Sequence, residues 1–152
     1  MLAVLNGANL NLLGRRDPAH YGSLTLQALE SQIYEWARKQ GITARCFQTN
    51  HEGEYIEHLH DAPGWATHLI VNPGAWSHYS YAIRDAIEFV VGEGIPVAEV
   101  HLSNIEDREE FRRHSVIAEV VQHRIFGKGP DGYHEAIEWL LGGAGGTGPQ
   151  VV

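Results

Sequence analysis

Apolar and polar positions alternate in blocks along this chain, and the blocks are of two kinds. Short aliphatic runs at Leu2 to Leu5, Ile42 to Phe47, Thr67 to Val71 and Val97 to Val100 read as strands, and Val116 to Phe126 contains a fifth. Longer segments between them carry apolar residues at helical spacing. Thr25 to Gln40 puts Leu26, Leu29, Ile33, Trp36 and Ala37 on one face, with Thr25 as N-cap, Arg38 and Lys39 in the last turn and Gly41 just beyond. Glu52 to Asp61 reads as a short helix with Ile56 and Leu59 inward. After the turn-rich Asn72-Pro73-Gly74, Ser77 or Ser80 opens a helix with Ile83, Ala86, Ile87 and Val90 on one side and Gly92 at its end. Ile105 to Arg113 alternates acids and bases as a short exposed helix does, and Pro130 to Leu141 is a closing helix with Tyr133, Ile137, Leu140 and Leu141 inward.

Strands that alternate with helices in this way predict an α/β fold, a doubly wound five-stranded parallel sheet covered by helices on both faces. The commonest order for such a chain is flavodoxin-like, 2-1-3-4-5, in which strands one and three part at the switch point and ligands bind beyond their carboxyl ends. Asn6 and Asn9, the segment Asn72 to His78 and the segment His101 to Asn104 should then line one crevice.

Length and charge narrow the picture. The chain has 152 residues, the size of one domain, expected over 1–141, with a Gly-rich tail over 142–152 that has too few apolar groups to hold itself down. A formal charge of −8 with scattered arginines lacks the basic footprint of a nucleic-acid binder. No apolar run approaches a membrane span, no signal peptide is visible, and the single Cys46 has no partner for an internal disulfide and suits a small buried thiol. A cytoplasmic location is expected.

The candidate chemistry begins in the stretch NGANLNLLGRRDPAHYG, Asn6 to Gly22, several times longer than the roughly 2–6 residues that usually join a strand to a helix. It holds a phenol, Tyr21, near two arginines. A free phenol ionises near pH 10, so Tyr21 acts as a base at neutral pH only beside a cation such as Arg16 or Arg15, and a loop tyrosine that merely packs its ring is the competing reading. Glu99 and His101 lie at i and i+2, on one face of the fourth strand, where the carboxylate can orient the imidazole for proton donation; a polar strand cap is the alternative. Backbone amides at Leu102 and Ser103 can hold a carboxylate. His58 and His60 fall on opposite sides of a helix, and none of the ten histidines has the spacing of a zinc site, so no metal is expected. The glycine motifs of dinucleotide and P-loop sites are missing, and Ser77 and Ser103 lack the GxSxG setting of a hydrolase nucleophile.

The opening stretch resembles the N-terminal signature of type II 3-dehydroquinate dehydratases, NGPNLNLLGxREPxxYG, with Ala8 in place of Pro and Asp17 in place of Glu. The resemblance continues through NPGAWSHYSYAIRDAI, EVHLSN and REEFRRHS, to about Leu140. It implies a lyase that converts 3-dehydroquinate to 3-dehydroshikimate, in the shikimate pathway of aromatic amino acid biosynthesis, by anti elimination through an enolate. By the same resemblance Tyr21 abstracts the C2 proton, Arg16 keeps it anionic, Asn9 stabilises the enolate through a held water, and His101, paired with Glu99, protonates the departing hydroxyl. Substrate binding would fall to Asn72, His78, Asp85, His101, Leu102, Ser103 and Arg112, with Asp85 reaching a neighbouring subunit of a homododecamer, a tetramer of trimers. No metal or organic cofactor is implied. From the residues alone Arg112 reads as part of a solvated helix face. Two other classes stay open: a non-catalytic flavodoxin-like module for a small anion, and a same-fold serine hydrolase that uses Ser103.

Overall fold

The computed structural model describes residues 1–15, 23–104 and 108–142. Five parallel strands, β1 (Leu2–Asn6), β2 (Ala44–Gln48), β3 (His68–Asn72), β4 (Val97–His101) and β5 (His123–Phe126), form one sheet in the order β2-β1-β3-β4-β5. This is the flavodoxin-like order expected from the alternation of elements. The helices are α1 (Leu26–Lys39), α2 (Glu52–Asp61), α3 (Tyr81–Gly92), α4 (Glu110–Arg113) and α5 (Asp131–Leu141).

Side chains alternate across the sheet, as the period of a strand requires. Leu2, Val4, Ile70, Ala98, Val100 and Ile125 face α1 and α5, whereas Ala3, Leu5, Leu69, Val71 and Val97 face α2 and α3. Each face thus has its own core. Thr25 caps α1 by accepting from the Ala28 N–H at 3.2 Å. Of the two serines expected to open α3, Ser80 does so, with its Oγ accepting from the Ile83 N–H at 3.1 Å. Ser77 lies in a preceding 3-10 turn, Gly74–His78.

Several expectations need correction. In α2 the buried side chains are Tyr55 and Leu59, while Ile56 is only half-buried. Tyr55 can turn inward because its hydroxyl donates to the Leu5 carbonyl at 2.9 Å, so the phenol carries its own partner into the core. The charged helix expected over Ile105 to Arg113 is a single turn, Glu110–Arg113, and residues 105–107 lie outside the described ones. The fifth strand does lie within its expected segment, as His123–Phe126, while Val116 and Ile117 form a turn that packs against the α2 and α3 side. Leu141 and Trp36 are half-buried rather than fully inward, and Trp36 stacks on His134 between α1 and α5 at a centroid distance of 4.8 Å. Cys46 is half-buried against the α1 side, and burial pushes its thiol up to about 12. Of the expected tail, 142–152, residues 143–152 lie outside the described ones.

The sheet is closed at its carboxyl end by an approach of two loops. Gly7 follows β1 and donates its N–H to the Asn72 carbonyl at 2.8 Å, and a β-carbon on Gly7 would run into the Pro73 carbonyl. Gly74 has φ +64 and sits against Ala8, whose carbonyl would be 2.8 Å from a β-carbon placed there. Glycine is required at both positions by space, and at Gly74 by conformation as well. Gly7→Ala should therefore cost about 1–3 kcal/mol of unfolding free energy. Gly53→Ala, in α2 with nothing within 4 Å of its β-carbon, should gain about 0.5–1 kcal/mol. Urea denaturation measures both, and equal effects at the two glycines would contradict the crowding at Gly7.

Candidate active site

Beyond the carboxyl ends of β1, β3 and β4 lies a cavity of about 100 Å³. The loop after β1 contributes Asn9. From β3 and the turn that follows come Asn72, Gly74 and His78, and from the end of β4 come His101, Leu102 and Ser103. Arg108, just before α4, and Arg112, within it, complete the wall. The three segments expected to share one crevice therefore all reach it, but Asn6, which is fully buried, and Asn104 are not among the lining residues.

Asn9 is held in the left-handed region at φ 70, which asparagine tolerates better than most residues. Its N–H donates to Asn50 Oδ1 at 2.8 Å, tying this turn to the end of β2. Gln48 Nε2 adds a bond to the Gly7 carbonyl at 3.1 Å. The segment after β4 is fixed from the other side, because Gly129 donates to the Leu102 carbonyl at 3.0 Å and Gly127 to the Ser103 carbonyl at 3.1 Å.

The electrostatic centre is Glu99, which is fully buried on the same face of β4 as His101. His101 Nε2 is 2.5 Å from Glu99 Oε2, which also accepts from Ser115 Oγ at 2.9 Å; Arg124 Nε donates to Glu99 Oε1 at 3.0 Å. Burial alone would raise the carboxyl's proton affinity. The bond and charge of His101, the Arg124 guanidinium and the Ser115 hydroxyl outweigh it and hold Glu99 below the usual carboxylate range. Glu99 is thus a buried anion at neutral pH, with an imidazole bound to it at the cavity wall.

His78 and Arg112 occupy the mouth. His78 Nδ1 donates to the His114 carbonyl at 2.8 Å, and its ring meets Phe111 edge-on. Burial pushes His78 below the ordinary histidine range, the His114 bond offsets part of this, and the charges on His101 and Arg112 add to the lowering. A neutral His78 bonded through Nδ1 keeps Nε2 as an acceptor. Arg112 donates to Glu109 Oε2 at 2.7 Å and lies over the Phe111 ring at 4.8 Å. It is half-buried and lines the cavity, so it is not the fully solvated helix face expected for it. Asp85 is exposed on α3 and is not among the residues lining the cavity. Tyr21 and Arg16 lie outside the described residues, and Arg15 is exposed.

Sequence reasoning missed Ser115, Arg124 and Arg108. Ser115 and Arg108 fall within the run REEFRRHS, whereas no local pattern singles out Arg124. The histidines weighed for a metal have other partners: His58 pairs with Glu54 at 3.6 Å and packs on Phe47, and His60 meets Phe89 edge-on. Ser77 is buried, with its hydroxyl donated to the Gly74 carbonyl at 2.8 Å.

Comparison with known proteins decides the family. The family model described as Dehydroquinase class II matches residues 1–141. The chain belongs to the class II dehydroquinase family. It is 50% identical over 137 residues to a 3-dehydroquinate dehydratase of Pelobacter propionicus, covering 90% of each chain. Among solved structures it is similar to the type II dehydroquinase of Butyrivibrio crossotus, with a TM-score of 0.88, 42% identity and coverage of 91% of this chain and 95% of the other. The type II dehydroquinase of Propionibacterium acnes gives a TM-score of 0.87 at 43% identity, with 92% and 94% covered.

The site's charges make a pH prediction. The folded His78 binds a proton less readily than the unfolded residue, whose pKa is about 6.5, so stability falls as pH drops below that value. His68 and His123, which burial also pushes down, add to this stage. Glu99 stabilises the fold above its unfolded pKa of about 4.3, and this contribution is lost as pH falls through its lower folded value. Melting followed by circular dichroism should decline in these two stages. Glu99→Gln should shrink the second, leaving the smaller contribution of the exposed Glu35 and Glu109, and lower the neutral plateau by on the order of 3 kcal/mol. A melting temperature unchanged between about pH 7 and 5 would contradict the first stage.

Proposed function

We propose that this protein is a 3-dehydroquinate dehydratase that removes water from 3-dehydroquinate to give 3-dehydroshikimate, serving aromatic amino acid biosynthesis in the cytoplasm. The observation that carries the reading is the buried Glu99 bonded to His101 in a wall that also holds Asn72, His78, the Leu102 and Ser103 segment and Arg112. These groups suit a small, polyhydroxylated carboxylate. Arg112 and the Leu102 and Ser103 amides answer its carboxylate, while Asn72 and His78 answer its hydroxyls.

The elimination needs a base and an acid on opposite sides of the ring. Tyr21, made anionic by the Arg16 guanidinium, takes the proton from C2, next to the ketone, and the electron pair moves into an enolate stabilised through Asn9 by way of a held water. As the enolate collapses, the C1–O bond breaks and His101 gives its proton to the departing hydroxyl, which leaves as water by anti elimination. Glu99 stabilises the imidazolium before transfer and orients the ring so that its other nitrogen serves the substrate. In this reading the chain's own residues carry each proton transfer.

Asp85 completes the site from a neighbouring subunit of a homododecamer. Its exposed position on α3, beside Tyr79 and Tyr81 at 60% and 62% exposure, supports that role, since large aromatic surface at one helix start is suited to burial between copies. Light scattering reads this directly, and the mass of a single chain would contradict it.

The reaction is followed by the ultraviolet absorbance of the conjugated enone in the presence of EDTA. Wild-type protein should give a rising trace, and Tyr21→Phe should slow it at least about 100-fold while leaving the melting temperature near that of wild type. A flat trace from folded wild-type protein would reject the dehydratase in favour of a module that only binds anions.

A further inference from the structure

Tyr133 lies on the sheet-facing side of α5, fully buried, and its hydroxyl joins the two strands that part at the switch point. It donates to Asn6 Oδ1 at 2.6 Å and accepts from Asn72 Nδ2 at 2.9 Å. Asn6 and Asn72 are register partners at the ends of β1 and β3, and Asn72 lines the cavity.

The chemistry of these bonds allows one arrangement. Asn72 Oδ1 accepts from the Gly74 N–H at 3.2 Å, and a backbone N–H can only donate, so the oxygen end of the amide faces Gly74 and the nitrogen end faces Tyr133. The phenol has one proton, and Asn6 takes it. Toward Asn72 the phenol oxygen is therefore an acceptor only. A flipped Asn72 would set its NH₂ against the Gly74 N–H and its carbonyl against an oxygen with no proton to offer. Burial pushes the Tyr133 phenol up, so the proton that orders this relay is retained throughout the neutral range. Asn6 is fully buried, and its Nδ2 has no hydrogen-bond partner among the described residues. Among those residues the Asn6 amide contributes its carbonyl, and the use of that carbonyl is to order the phenol.

We propose that Tyr133 is a positioning residue which, with Asn6 behind it, locks the amide of Asn72 so that its second N–H is presented to an oxygen of the substrate. Tyr133 touches no substrate itself. The proposal rests on the reading of Asn72 as a substrate-binding residue. It assigns the closing helix a part in substrate recognition.

The test is a double-mutant cycle of Tyr133→Phe and Asn72→Ala, read as kcat and KM in the enone assay well below the melting temperature of each variant. Tyr133→Phe keeps the ring and removes only the hydroxyl. It should lower kcat/KM by about tenfold or more, and added to Asn72→Ala it should lower it by less than about twofold further, because the two act as a unit. A purely structural tether would lower the melting temperature of Tyr133→Phe with kcat/KM unchanged, or give losses that multiply across the cycle; either result overturns the proposal. Should Tyr133→Phe fail to fold, Asn6→Leu serves instead, since it keeps the phenol but frees its proton to turn toward Asn72. The same loss and the same lack of additivity with Asn72→Ala are expected, and multiplying losses again overturn it. Wild-type protein with no turnover rejects the dehydratase reading and the proposal with it, whereas active wild type with an unaffected Tyr133→Phe overturns the positioning role alone.

Discussion

A carboxylate with no exposed surface is expensive to keep ionised, and the surroundings of Glu99 are organised by that cost. An unpaired buried charge would neutralise itself or destabilise the fold by several kcal/mol. Here the compensation comes from three separate parts of the chain: His101 on its own strand, Arg124 on β5 and Ser115 on the segment that follows α4. That segment is fixed in turn, because the Val116 N–H donates to the Ser77 carbonyl at 2.8 Å and Arg84 reaches the Val116 carbonyl at 3.0 Å. Satisfying one anion thus binds β4, β5, α3 and the 3-10 turn after β3 into one wall. The imidazole that faces the cavity inherits this rigidity.

The opposite wall depends on space rather than charge. Strands β1 and β3 are neighbours, yet their continuing chains diverge, which opens the crevice where parallel α/β sheets bind ligands. Gly7 and Gly74 let the two loops touch before they part, so Asn9 and Asn72 start from a common floor. Asn9 accepts a left-handed conformation as part of that turn. Function in this fold is built where backbone packing is closest, and glycine is what permits it.

Much of this was legible in the chain. The change from runs of aliphatic residues to helical spacing located β1, β3, β4 and α1 to within a residue or two, because burial on two faces leaves little choice of pattern. The i, i+2 relation of Glu99 and His101 followed from strand geometry once β4 was recognised. The failures have physical reasons. Tyr55 hid behind its hydroxyl, which finds a carbonyl inside the core. Arg112 looked solvated because interleaved charges are read along the sequence, whereas α4 is one turn set against the mouth of a cavity. Ser115 and Arg124 lie 16 and 25 positions from the carboxylate they hold, and nothing local marks such a partner. Asp85 was suggested only by resemblance, and no feature of its own helix pointed to it.

In the proposed reaction the site combines a carboxylate held ionised at neutral pH with an imidazole that gains and loses a proton, and the account stands on the first governing the second. Steady-state kinetics of Glu99→Gln against wild type, both verified as folded, test this most directly. An amide of the same shape keeps the packing and removes the charge, so kcat for enone formation should fall by about 100-fold or more while KM changes by less than about fivefold. A variant that retains most of its kcat would show that His101 needs no buried anion, and the electrostatic account of the site would be wrong.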